Sequence, residues 1–160
     1  MNKLTNEQII QEFKNFDKDK YSLIVSSTSK HNIPFTNYSP FIKKDGNYYI
    51  SVSSNLQHFK NMLETSKAHI LIIEDEKDAS HIYARKRLYF NCSCQIIKNK
   101  DEIFDLFNKR YGNKLAFLRD MHDFEVIKLI PEEKSLVLGF GVAHQMNTDG
   151  KLIQKTISHK

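Results

Sequence analysis

The fold is decided by one stretch, YSLIVSSTSKHNIPFTNYSPFIKKDGNYYISVS, which spans residues 21–53. It contains three segments rich in β-branched and aromatic residues, at 21–28, 33–43 and 48–53. The second turn between them contains Asp45-Gly46, a pair that tolerates positive φ and favours a tight hairpin. Pro34 and Pro40 limit where the middle segment can donate to a ladder. The stretch therefore predicts an antiparallel meander of three strands.

The rest of the chain continues this β pattern and places helices between the strands. Further strands are predicted at 68–73, 82–97, 124–130 and 135–140, and helices at 5–16, 55–66, 100–111 and 113–121. Thr5 and Gln8 predict a capping box for the first helix, and Asn55 is expected to cap the second. Antiparallel strands interrupted by helices favour a closed or split β-barrel over an open sheet. We therefore expect a mainly β, α+β chain, with a single barrel domain over residues 1–143 and a C-terminal tail over residues 144–160.

Composition narrows the class of protein. The chain has 160 residues, 40% of them hydrophobic, and its 24 basic and 19 acidic residues leave a formal charge of +5. A mild positive excess suits an anionic ligand, an acidic surface or nucleic acid without choosing among them. Basic and aromatic residues do not interleave as in an RNA-binding platform, so nucleic acid is not expected as a partner. No apolar run is long enough to cross a membrane, and the first ten residues lack a secretory signal, so we expect a cytoplasmic protein.

The two cysteines of the chain, Cys92 and Cys94, lie two positions apart in a predicted strand. Their side chains therefore point to the same face. A C-x-C pair without other thiols is a poor zinc signature. The interpretation is a pair of small apolar side chains in the core of a cytosolic protein.

Arg85 and Arg87 are the first candidates for a binding role. At i and i+2 of the predicted strand 82–97, both guanidinium groups would leave one face, beside Tyr83 and Tyr89. Such a fork suits a carboxylate or a phosphate next to an aromatic wall. The alternative is a solvated sheet face whose arginines pair with glutamates.

The histidines offer fewer signals, since seven of them are scattered without metal-chelate spacing. His159 lies in the predicted tail, where reach to a ligand is greatest. Asp123 follows His122 at the entry of a strand, and its carboxylate could orient a histidine through the ring N–H. The alternative for Asp123 is an ordinary turn aspartate.

Six segments, taken together, resemble one known family. They are NYSPF (37–41), YYISVSSNLQHFKNM (48–62), ILIIEDE (70–76), ARKRLYF (84–90), DFEVIKL (123–129) and GFGVA (139–143). The chain resembles the HugZ/HutZ family of bacterial haem-utilisation proteins, within the pyridoxamine 5′-phosphate oxidase-like split-barrel superfamily. The resemblance implies an FMN-binding-like split β-barrel that forms a homodimer, with ligand sites between protomers. It also implies haem as the ligand rather than FMN.

Site residues carried over from this resemblance are an axial histidine, an aspartate that orients it and an arginine near the haem. His159 matches the iron ligand, with His144 as the fallback, and Asp123 matches the aspartate. Arg85 is the first match for the arginine and Arg87 the second.

The function implied by the resemblance is a haem oxygenase-like enzyme. It would use O₂ and an external electron donor to degrade haem and release iron for iron acquisition. One alternative is an FMN-dependent oxidoreductase of the same superfamily, in which Arg85, Lys86 and Arg87 would hold the FMN phosphate. Another alternative is a haem storage or transfer protein that binds haem without cleaving it.

Overall fold

The structure is a computed structural model and describes residues 4–140 and 142–153. These ranges contain eight strands, three α-helices and three 3-10 turns. The strands are β1 (Ser22–Thr28), β2 (Pro34–Lys44), β3 (Asn47–Ser53), β4 (Lys67–Ile73), β5 (Arg87–Ile97), β6 (Phe124–Gly139), β7 (Val142–Met146) and β8 (Leu152–Ile153). The helices are α1 (Asn6–Asn15), α2 (Gln57–Thr65) and α3 (Asp101–Tyr111), and the 3-10 turns are Glu76–Asp78, Ile82–Ala84 and Gly112–Arg119.

Six strands close into a barrel. Their order is β3-β2-β1-β4-β5-β6, and β6 pairs back to β3 to complete the ring. Every pairing is antiparallel. The long β6 closes the barrel because β5 pairs along one of its edges while β3 pairs with the first half of the other edge. The second half of that other edge pairs with β7. The predicted split barrel is confirmed, and the predicted hairpin at Asp45-Gly46 has positive φ at both residues.

The barrel core consists of alternate residues from each strand. In β1, for example, Leu23 and Val25 are fully buried while Ile24 between them faces outward. Tyr48 and Phe90 meet near the centre of this core, with ring centroids 5.0 Å apart. A second cluster lies under α3, where Phe104 and Phe107 are buried. Burial of each such side chain contributes on the order of 2 kcal/mol, so hydrophobic packing stabilises the domain.

Two of the helices, α1 and α2, pack against the barrel. The predicted capping box of α1 is confirmed, because the Gln8 N–H donates to Thr5 Oγ1 and the Thr5 N–H donates to Gln8 Oε1. Asn55, expected to cap α2, does not do so; Leu56 is the N-cap residue and makes no side-chain bond to the helix. The Asn55 side chain instead donates to Asp123.

The predicted strand 82–97 is wrong over its first five residues. The Ala84 N–H donates to the His81 carbonyl, and the Tyr83 N–H donates to the His81 ring, which together form a local 3-10 turn. The strand begins only at Arg87. Local side-chain and turn bonds therefore prevailed over the alternating pattern here.

The predicted strands 124–130 and 135–140 form one continuous strand, β6. Pro131 lies inside it, opposite an irregularity of β5 between Phe90 and Cys92, and this shift accommodates the missing N–H of proline. Residues 142–146, of which 144–146 were predicted to belong to the C-terminal tail, form β7 and pair with β6. Met146 of this strand is buried, so residues 144–146 belong to the sheet.

The length and polarity of the helices determine whether any of them could cross a membrane. None of the helices in the described part of the chain is long and apolar enough to cross a bilayer.

Candidate functional site

The outer face of the sheet carries a row of mostly apolar residues. Strand pairing sets Tyr38, Ile24, Leu71, Tyr89 and Ser135 side by side across β2, β1, β4, β5 and β6. Tyr38 is well exposed, and the next three are only half-buried. We call these five residues the outer row. An apolar row on the outside of a barrel is a surface that a ligand or a protein partner can cover.

Arg85 lies at one end of this face but not in a strand. Its Nε and Nη2 donate to the Glu74 carbonyl at 2.9 and 2.6 Å, and its Nη1 donates to Glu76 Oε1 at 2.9 Å. The predicted fork of two arginines at i and i+2 of a strand is therefore wrong in its geometry. The guanidinium of Arg85 fastens residues 74–76 to the start of β5.

Arg87 is the first residue of β5 and lies on the same face as Tyr89. Among the described residues its guanidinium makes one hydrogen bond, from Nη1 to the Arg85 carbonyl at 3.0 Å. The 3-10 turn beside it contacts β6. Tyr83 of that turn and Phe140 after β6 are each 77% exposed. This end of the face thus combines uncovered aromatic rings with guanidinium N–H groups that have no bond within the described chain.

Asp123 lies immediately before β6 and is fixed by the end of β3. Its Oδ2 accepts from Ser53 Oγ at 2.6 Å and from Asn55 Nδ2 at 3.3 Å. Its carbonyl accepts from the Ser54 N–H at 2.7 Å. No donor in residues 4–140 or 142–153 bonds to its Oδ1, so one carboxylate oxygen has the capacity to accept a further hydrogen bond.

His144 lies on β7, opposite Leu136 of β6, which in turn pairs with Leu88. Leu136 and Leu88 are buried in the core, so the imidazole points to the core side of the sheet. Its Nε2 is buried and has no hydrogen-bond partner in the described chain. Burial lowers the pKa of His144 and favours the neutral ring, the form that ligates metals.

These predicted site residues do not come together within one described protomer. Arg87 lies on the outer face, whereas His144 lies on the core side. Asp123 precedes β6 by one residue, and Leu136, the partner of His144, is 12 residues further along that strand than Phe124, roughly 40 Å of strand path. His159 lies outside the described residues.

Ser53 and Asn55 are the site residues that sequence reasoning missed. Ser53 is buried at the end of β3, and Asn55 was expected to cap a helix. Their approach to Asp123 depends on the pairing of β3 with the first half of β6, where Ser53 lies opposite Phe124. No local sequence signal predicts that pairing.

Comparison with known proteins gives the family. The pyridoxamine 5′-phosphate oxidase family matches residues 9–137, which extend from α1 to the second half of β6. The chain belongs to this family. The matched residues include five barrel strands and residues 124–137 of the sixth, β6, whereas β7, β8 and the chain after them lie beyond the match.

Relatives within the oxidase family carry names connected with haem. The heme oxygenase HutZ of Vibrio cholerae is 28% identical over 142 residues, which are 86% of this chain and 81% of that protein. A crystal structure of Vibrio cholerae HutZ, there called the heme storage protein, superposes with a TM-score of 0.74 at 25% identity, over 81% of this chain and 93% of that one. The predicted resemblance to HutZ-type proteins is confirmed.

A further structure shows how completely the fold is shared. Campylobacter jejuni ChuZ superposes with a TM-score of 0.90 at 24% identity, over 99% of this chain and 66% of that one. This superposition reaches beyond the oxidase-family match at residue 137.

Proposed function

We propose that this protein binds haem and degrades it oxidatively, releasing the iron for iron acquisition. The observation that carries the proposal is the 28% identity to a heme oxygenase over 86% of the chain. Degradation is a more specific proposal than binding, since a HutZ structure is also described as that of a heme storage protein. The proposal includes an external electron donor and a cytoplasmic setting.

The donor set at the outer face suits haem. Haem is a planar apolar macrocycle with two propionate groups. Exposed aromatic rings occur at Tyr83, four residues before Arg87, and at Phe140, three residues after Val137, the β6 partner of Arg87. Arg87 has guanidinium N–H groups without a bond in the described chain, and these could hold a propionate. Arg85, the first match from the sequence, would have to release Glu74 and Glu76 to do the same. Bound haem would supply the oxygen chemistry.

We further propose that two copies of the chain assemble around the ligand. The outer row leaves Tyr38 exposed next to half-buried Ile24 and Leu71, and a second copy would cover this apolar surface. His159 is proposed as the axial ligand and His144 as the fallback. Asp123 is proposed to accept a hydrogen bond from the ligand imidazole at its unused Oδ1, which would make the ring a stronger electron donor.

The test is a titration of purified chain with haemin, followed by absorption spectroscopy, and then addition of ascorbate in air. We expect a saturable Soret shift at about one haem per chain, then bleaching with iron release. A stable Soret band under ascorbate would support storage or transfer. Absence of haem binding, combined with a stability gain from added FMN, would support the flavin alternative.

The ligand assignment has its own test in two variants. We expect His159→Ala to abolish the Soret shift and His144→Ala to retain it. The reverse pattern would transfer the ligand role to His144. The dimer is tested separately by sedimentation, in which Tyr38→Glu should dissociate two copies if the outer row is the interface.

A further inference from the structure

A polar groove on the outer face of the sheet is a feature that the proposed function does not use. It has a volume of about 630 Å³ and is bounded by the end of β1, the end of α2, the start of β4 and the middle of β5. A space of this size is sufficient for a small-molecule ligand. Asn91 of the groove lies four residues beyond Arg87 along β5, roughly 13 Å of strand. The groove is therefore separate from the end of the face where Arg87 lies.

Hydrogen bonds within the chain fix the β1 side of this groove. The Asn61 side chain donates to Ser27 Oγ at 3.1 Å, and both residues are buried. Ser29 Oγ accepts from the Ile33 N–H at 3.2 Å and from the His31 N–H at 3.3 Å. These bonds hold the wall in place without a ligand, which lowers the entropy that binding would cost. Recognition then depends on the side chains at the rim.

The rim of the groove presents more hydrogen-bond donors than acceptors. Lys30 and Lys67 are exposed, and neither ammonium group forms an ion pair within residues 4–140 and 142–153. His69 Nδ1 donates to Asn91 Oδ1 at 2.9 Å, which leaves the Asn91 Nδ2 group able to donate to a ligand. Glu132 supplies the only carboxylate among the described residues that line the groove. Two ammonium groups against one carboxylate favour an anionic ligand.

The chemistry of the walls narrows the class of anion. Apart from the imidazole of His69, the described walls contain no aromatic ring, and a flat macrocycle or flavin ring needs an apolar, aromatic surface. Hydroxyl, amide and imidazole groups instead match the hydroxyl groups of a polyol. We propose that this groove binds a phosphate ester of a polyol, such as a sugar phosphate. Lys30 and Lys67 hold the phosphate, and His69 and Asn91 bind the hydroxyl groups.

His69 connects the groove to the outer row. Its ring centroid lies 5.9 Å from that of Tyr89, a member of the outer row. A polyol in the groove contacts this imidazole, so the NMR signals of the His69 ring protons should shift when the ligand is added. His122 is an exposed histidine outside the groove, and its ring signals should stay unchanged.

The experiment is a calorimetric titration of the full chain with glucose 6-phosphate, inorganic phosphate and glucose. We expect glucose 6-phosphate to bind saturably, one per chain, with a dissociation constant below about 1 mM. Inorganic phosphate should bind about tenfold more weakly, because it lacks the hydroxyl groups of the polyol. Lys67→Ala and Lys30→Ala should each weaken binding of glucose 6-phosphate by about tenfold. Lys114→Ala, at an exposed lysine outside the groove, should leave it unchanged.

Glu132→Gln gives a test of opposite sign, since removal of the carboxylate from the groove should strengthen binding of the phosphate ester by about threefold. Circular dichroism checks that each variant is folded, and haemin titration of the same proteins makes the result independent of the proposed haem function. Absence of saturable binding to the wild type would overturn the proposal. Equal affinities for glucose 6-phosphate and inorganic phosphate, or unchanged affinity in both folded lysine variants, would do the same.

Discussion

Two aspartates of this chain are held by hydrogen bonds, but they differ in the charge of their donors and in their burial. Asp17, just after α1, is 2% exposed. Its Oδ2 accepts from Lys43 Nζ at 2.6 Å and from the hydroxyl of Tyr48. The Lys43 ammonium also lies 5.4 Å from the centre of the Tyr48 ring. We call these three residues the Asp17 cluster; it includes a cation and lies against the barrel core.

Asp123 is held by two neutral donors, Ser53 and Asn55. We call these three residues the Asp123 cluster. The cluster contains no cation, and Asp123 is half-buried rather than enclosed. Neutral donors orient a carboxylate without neutralising its charge. The comparison teaches that the Asp17 carboxylate is buried and paired with a cation, whereas the Asp123 carboxylate is oriented by neutral donors and remains partly exposed.

The largest effect is expected from Asp17→Ala, which tests whether the Asp17 cluster is structural. Removing the buried carboxylate leaves the Tyr48 hydroxyl and Lys43 without their partner and should lower the free energy of unfolding by about 3 kcal/mol. Urea unfolding measures this change. Asp19→Ala is the matched control, since Asp19 is 75% exposed and its ion pair with Lys20 should contribute less than about 1 kcal/mol. Equal losses in the two variants would contradict a structural role for Asp17.

Asp123→Asn should have the opposite effect: stability should change little, whereas haem degradation should slow. The amide carbonyl still accepts from Ser53, so the free energy of unfolding should fall by less than about 1 kcal/mol. Loss of the charge should slow ascorbate-driven haem bleaching by at least about tenfold. Bleaching at the wild-type rate in a protein with normal haem content would show that Asp123, too, is only structural.

Arginine variants extend the comparison to the outer face, with a smaller effect. Arg87→Ala should weaken haemin binding by about tenfold, because a propionate would lose a charged partner. Arg85→Ala should instead loosen residues 74–76 and reduce stability, with less effect on affinity. Haemin titration and urea unfolding of both variants separate these outcomes. A larger affinity loss in Arg85→Ala would restore Arg85 as the haem-side arginine.

The smallest effect is expected in the pH dependence of the free energy of unfolding. It depends on His58 of α2, the helix that follows the Asp123 cluster. Burial lowers the pKa of His58 from its ordinary value of 6.5, so this ring is neutral in the folded chain. The unfolded chain gains a proton first as pH falls below about 6.5, so stability is lost on acidification, by at most about 1.4 kcal/mol per pH unit from this group. Urea midpoints at pH 7 and pH 5.5 measure the loss. The slope should diminish in His58→Gln and persist in His31→Gln, which alters an exposed ring.

Much of the barrel could be predicted from sequence because its signals are local. Alternation in 21–28 and the Asp45-Gly46 turn predict β1, β2 and β3, and the Thr5 to Gln8 spacing predicts the cap of α1. The start of β5 and the continuity of β6 were mispredicted. The first depends on the bonds between Arg85 and Glu74, and the second on how Pro131 fits opposite β5.

The candidate site was less predictable for the same reason. Asp123 and Arg87 were identified as residues, but the neighbours that define their chemistry, Ser53 and the Arg85 carbonyl, were not. Hydrogen bonds between residues 70 positions apart, such as Ser53 to Asp123, leave no periodic trace in the sequence.

By itself, the sequence determined most of the strand segments, their core faces and the placement of Cys92 and Cys94 on one face, since these follow from the two-residue period of a strand. Only the tertiary structure decided that the barrel closes through β3 and β6, that Arg85 is held by Glu74 and Glu76 while the Arg87 guanidinium makes a single hydrogen bond in the described chain, and that His144 points away from Arg87. The physical reason is that strand registry and partner choice are set by contacts between distant segments, whose energies no single stretch of chain contains.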